Sequence, residues 1–320
     1  MNEQTTVPRY RFLAASILVS SFVLAGAWLY TAPRPDPLQN TAAVPDADIQ
    51  KKSVLEEKVL PSDGIALPVR WGDLGIKMAG VGVVDREKFE ALYANHGEFD
   101  LEARRLFGEE MNEPLRMTPE NAGLLLNLFW ALGLGTKNDI LEQGPIADPK
   151  YGGADTFAST AGWTIAQGDP MNHYSRHPFV LLTKEQQDLV RRVSKNIYRP
   201  CCPNPVYFPD CNHGMAMLGF LELMASQGVS EQDMWKAALA VNSYWFPDTY
   251  ITIATYMKNK GVPWEKVNPR EMLGINYSSA SGYARIAAQA QLQPQRGGSG
   301  CGVDTGQQAE PQRERGGCSI

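Results

Sequence analysis

The segment Cys201-Cys202-Pro203-Asn204-Pro205-Val206-Tyr207-Phe208-Pro209-Asp210-Cys211-Asn212-His213-Gly214-Met215-Ala216-Met217-Leu218-Gly219-Phe220-Leu221-Glu222-Leu223-Met224-Ala225 decides how this chain is read. Its first half holds three prolines between two sets of cysteines, so it cannot be helical. Its second half is apolar on nearly every side, with Glu222 its only charge, and a helix apolar all round is a buried one. The segment therefore predicts a stiff thiol-bearing loop brought back against the start of a central buried helix. That start carries Cys211 and His213.

Working outward, helix signals dominate. Asp85 is a cap for 86–94, and Thr118-Pro119-Glu120 opens a helix over 121–132 that ends at Gly133. Residues 155–167 read as a helix between glycines. Thr183 with Gln186 forms a capping box for a helix reaching about Tyr198. Ser230 caps 231–243, Asp248 caps 249–259, and Ser278 or Ser279 begins a last helix to about Gln291. Between Ile65 and Val84 one or two short strands or irregular segments fit. The expected fold is all-α: a single helical domain over 63–292, built around the buried helix. The aromatic group Tyr244 to Tyr250 reads as a packed corner between two helices.

The ends carry different signals. Residues 12–30 form an uncharged run preceded by Arg9 and Arg11 and ended by Trp28 and Tyr30. That length and those flanks predict a membrane anchor, with 1–11 on the cytoplasmic side. Ala25-Gly26-Ala27 offers a competing signal-peptide cleavage site, but Trp28-Leu29-Tyr30 prolongs the apolar run past it. Either reading puts the rest of the chain outside the cytoplasm. Residues 31–62 are a proline-rich linker, and 293–320 a Gly-rich disordered tail carrying Cys301 and Cys318.

Composition narrows the function. The net charge is −5 and there is no basic block, which argues against a nucleic-acid partner. Five cysteines are too few for a disulfide scaffold. Gly133-Leu134-Gly135-Thr136-Lys137 lacks phosphate-loop spacing, and Gly80-Val81-Gly82 lacks the rest of a dinucleotide fingerprint.

What remains is the thiol cluster. Cys201, Cys202, Cys211 and His213 supply the donor types that bind copper(I) or zinc. The helix start favours the Cys211 thiolate. Met215 and Met217 could add thioether ligands, although on a buried helix they more often fill the core. His173 and His177 lie one helix upstream, in a loop bounded by Pro170 and Pro178, and Cys301 is a candidate shuttle ligand from the tail. His96 reads as a helix end. Two other readings stay open. Cys211 could attack a disulfide with Cys201 or Cys202 resolving, or either of the pair could close a loop disulfide with Cys211 in an interaction protein.

Thr183-Lys184-Glu185-Gln186, Cys201-Cys202, Asp210-Cys211-Asn212-His213 and Gly228-Val229-Ser230-Glu231-Gln232 together resemble anchored bacterial thiol proteins. Those are the cytochrome c maturation CcmH group and the PCYCGC-motif lipoproteins. The resemblance spans residues 183–233, and this chain has Cys-Cys where the CcmH group has CxxC. It implies membrane-anchored thiol or metal handling outside the cytoplasm, with another envelope thiol or metal protein as partner.

Overall fold

The computed structural model describes residues 54–94 and 101–290. The expected anchor (12–30), most of the linker, the tail with Cys301 and Cys318, and His96 lie outside the described residues. Among the described residues no helix is long and apolar enough to cross a membrane.

The chain begins with a helical turn at 54–59 whose Leu55 and Val59 are buried. Strand β1 (Ile65–Gly72) follows, then helices α1 (Leu74–Gly80), α2 (Arg86–Ala94) and α3 (Leu101–Gly108), and strand β2 (Met111–Met117). The two strands pair antiparallel, with Ile65 opposite Met117 and Gly72 opposite Met111. Alternation along β1 turns Leu67, Val69 and Trp71 inward. The all-α expectation is thus corrected to a predominantly helical fold with one small sheet. Residues 111–117 carry Glu113, Pro114 and Arg116 and show little strand signal of their own. Pairing with β1 makes them a strand, a case of tertiary context overriding propensity.

Helix α4 (Ala122–Gly135) starts where Thr118 and Asn121 exchange side-chain hydrogen bonds with each other's backbone N–H, at 3.3 and 2.8 Å. It does not end at Gly133. That glycine is where α4 crosses α7 (Asn212–Ser226), and a Cβ there would lie 2.2 Å from the Met215 carbonyl oxygen. Gly219 is its counterpart, with a Cβ position 2.4 Å from the Phe129 carbonyl oxygen. The two backbones touch because neither glycine has a side chain. The central helix is as expected: every residue from Asn212 to Ala225 is buried.

Between them lie α5 (Asp139–Gln143) and α6 (Lys184–Ser194), the latter with the full Thr183–Gln186 capping box. The helix expected over 155–167 is broken into a 3₁₀ turn at Ala154–Thr156 and a single α turn at Ala158–Ala161. Thr160 turns its hydroxyl onto the Ala154 and Phe157 carbonyls, and Trp163 donates to the Val83 carbonyl at 2.7 Å. Side chains that bond local backbone compete with the helix ladder. Helix α6 also stops at Ser194, because the Ser194 and Ile197 carbonyls accept from Tyr207 and Val206 of the returning loop.

Helix α8 (Glu231–Trp245) packs against α7 and α4, α9 (Pro247–Asn259) packs on α8, and α10 (Ala280–Gln289), the last helix among the described residues, packs on α9. Ser230 and Ser279 cap α8 and α10. Asp248 is not a cap: Pro247 opens α9 and Asp248 lies in its first turn.

Candidate metal centre

The proline-rich loop returns to the start of α7 and delivers its thiols there. Cys211 is the N-cap residue, in extended backbone, and its Sγ accepts from the Gly214 N–H at 3.4 Å. Cys201 Sγ lies 3.6 Å from Cys211 Sγ. One ligand atom from each of Cys201, Cys211 and His213 falls within 4.8 Å of the other two. Cys202 enters a different group of the same compactness, with Asp210 and Cys211. Cys211 is common to both.

Cys211, Cys202 and His213 are almost wholly buried, while Cys201 is partly exposed. None of the three is disulfide-bonded. A sulfur separation of 3.6 Å is far above the roughly 2.05 Å of a disulfide. It approximates the spacing of two thiolates each about 2.3 Å from one ion. The His213 ring packs 4.4 Å from Phe246 and 5.9 Å from Trp245, centroid to centroid. Its Nδ1 is buried with no hydrogen-bond partner. Buried ring nitrogens are normally satisfied, so an unpartnered one, on a ring with a nitrogen within 4.8 Å of two thiols, suits a ligand role.

The charge at the centre comes from Arg199, which is fully buried. One of its terminal nitrogens donates to Asp210 Oδ1 at 2.6 Å and to Cys211 Sγ at 3.4 Å, and the other donates to the Asn204 carbonyl at 2.9 Å. Asn204 Nδ2 completes the ring by donating to Asp210 Oδ2 at 2.7 Å. Gly214 makes room for this arrangement, since a Cβ there would sit 2.8 Å from the guanidinium.

These contacts set the protonation of the thiols. Burial opposes ionisation of Cys211, but the hydrogen bond from Cys201, the Arg199 charge and His213 outweigh it, and its pKa is lowered. Cys201 moves well above the ordinary thiol range, through its hydrogen bonds with Cys202 and Cys211 and then through burial. The opposite shifts favour ionisation of Cys211 over Cys201. Burial also raises Asp210, despite the adjacent guanidinium.

A polar relay fixes the loop from behind. Asn242 donates to the Tyr198 carbonyl at 3.2 Å and to Tyr250 Oη at 3.1 Å, and Tyr250 Oη lies 2.7 Å from Ser278 Oγ. The Cys202 carbonyl accepts from Ala280 N at 3.4 Å.

The accessory candidates fall elsewhere. Met215 and Met217 are fully buried members of the hydrophobic core. His173 and His177 bond each other, Nδ1 to Nε2 at 3.1 Å, and His173 Nε2 meets the Gln167 carbonyl. They are tied to the end of α4, where Lys137 N donates to the His177 carbonyl at 2.9 Å.

Arg199, Asp210 and Asn204 were absent from the sequence-level candidates. A signal existed: Arg199 is the sole cation between Lys195 and Lys236, and Asp210 and Glu222 are the only acids between 196 and 230. Isolated charges in an apolar stretch need partners.

Comparison of the chain with known protein families, with curated proteins and with solved structures gives no match.

Proposed function

We propose that this protein binds a soft metal ion, copper or zinc, at Cys201, Cys211 and His213. In this reading residues 12–30 hold the domain at a membrane on its extracytoplasmic side. Another envelope thiol or metal protein exchanges the ion, and Cys301 serves as a shuttle ligand. The observation that carries the reading is the convergence of two thiols and one imidazole within 4.8 Å, with His213 Nδ1 buried and unpartnered. The Arg199 charge favours the Cys211 thiolate, the form that ligates. The likeness of residues 183–233 to anchored thiol proteins of the CcmH group points the same way. The test is metal content of the purified protein, with and without Cys211→Ser. The ion should be present in the first and lost in the second; negligible content in both defeats the reading.

The 3.6 Å contact between Cys201 Sγ and Cys211 Sγ favours a second reading, a thiol–disulfide oxidoreductase. Burial weighs against it. An attacking thiol must reach its substrate, and Cys211 is 1% exposed. Titration of the thiols in graded redox buffers separates the readings: a redox protein shows a reversible dithiol couple without metal, whereas a metal site loses its ion on oxidation. The third reading, a loop disulfide in an interaction protein, meets three cysteines that are not disulfide-bonded.

A further inference from the structure

We infer that the centre is a three-coordinate copper(I) site with two sulfurs and one nitrogen, and that Arg199 keeps it so by occupying the carboxylate that would complete a zinc site. The inference rests on the metal-binding reading above and specifies its coordination.

A structural zinc ion takes four ligands, whereas copper(I) is served by a few soft ones. Around Cys211 the first three ligands are in place: Cys201, Cys211 and His213. Two residues could be a fourth, and both belong to the other group, Cys202 and Asp210. Asp210 is committed, with Oδ1 held by Arg199 and Oδ2 by Asn204. Arg199 also donates to Cys211 Sγ, so the guanidinium lies between that sulfur and the carboxylate. The second group therefore already holds its cation, and that cation is an arginine side chain. The Cys202 sulfur groups with Asp210 and Cys211, and not with the Cys201 and His213 ligand atoms. The aromatic walls Trp245 and Phe246 stand on the His213 side, where neither offers a strong donor to an ion. What is left for one ion is soft and three-membered.

The experiment uses the full-length protein, loaded anaerobically with copper(I) from a chromophoric chelator and, separately, with zinc(II). Metal-edge X-ray absorption reads the ligands. One copper(I) bound by two sulfurs and one nitrogen is expected, with the same spectrum in Cys202→Ser and an altered one in Cys201→Ser and His213→Ala. Zinc(II) should carry an added oxygen ligand from solvent. In Arg199→Met, Asp210 is released, and the affinity ratio should shift toward zinc(II). A third sulfur in the copper site, or zinc bound by Cys202 or Asp210 in the unmodified protein, overturns the coordination while leaving metal binding intact. Failure to retain either ion defeats both this inference and the reading beneath it. Should Arg199→Met not fold, the spectra of the unmodified protein and Cys202→Ser decide alone.

Discussion

Helix α7 is buried in two different ways. Along its length it crosses α4 through Gly133 and Gly219, a contact of backbone on backbone with apolar side chains around it. At its N-terminus it meets the 199–211 loop through Arg199, Asp210 and the thiols, largely buried and tied by charge-assisted hydrogen bonds. The crossing is governed by shape, and any added atom is an intrusion. The loop contact is governed by pairing, and any removed partner strands a charge. Both are dense, but they fail for opposite reasons.

The sharpest way to break the loop contact is Arg199→Met. It leaves Asp210 and Cys211 without their buried cation, and breaking a buried pair in this way costs about 3–5 kcal/mol. Urea unfolding of the metal-free protein measures it. A loss under about 1 kcal/mol would mean that the guanidinium does not hold the loop.

Breaking the crossing takes one carbon. Gly133→Ala puts a Cβ 2.2 Å from a backbone oxygen that cannot rotate away, so the helices must part. A loss of about 2–3 kcal/mol is expected, in the range of overpacked cores. Gly219→Ala should cost a similar amount, and the double variant less than the sum, since both act on one crossing.

Glu222, on the same helix, sharpens the contrast because it is a buried acid with no cation. One oxygen accepts from Asn138 Nδ2 and the other is unpartnered. Burial raises its pKa well above the ordinary value, so the folded state keeps a proton that the unfolded state releases. Stability from this group is therefore complete below about pH 4.3, the unfolded value, and falls as pH rises toward the folded one. Glu222→Gln should remove that fall. Unfolding curves of the two proteins across the window check the sign: a wild type that gains stability relative to the variant with rising pH would refute it.

The smallest expected effect on stability comes from His213→Phe, which keeps a ring against Phe246 and Trp245 and removes the orphan nitrogen. Thermal unfolding should change by about 1 kcal/mol or less, while bound metal is lost. The separation of those two readouts distinguishes a ligand from a core residue.

How much of this was legible follows the same division. The buried helix, the capping box at Thr183 and the caps at Ser230 and Ser279 depend on residues within a few positions of each other, and they stand where local rules put them. Strand β2 was not legible, because Met111–Met117 has its partner about 40 to 50 residues earlier. Nor was the breaking of 155–167, where Trp163 is drawn to the Val83 carbonyl. In the site, the thiols and His213 were visible as residue types at close spacing, and Cys202 was grouped with Cys201 because adjacency in sequence carries no direction. Only the folded loop shows the two thiols in separate groups around Cys211.

By itself the sequence determined that three prolines stiffen a cysteine loop and that the helix after it is buried, since backbone restriction and hydrophobicity are properties of the segment. The tertiary structure alone decided which polar atoms that burial leaves paired. Arg199, Asp210 and Asn204 close on one another, and His213 Nδ1 is left open, because desolvated groups must find partners wherever the fold brings them.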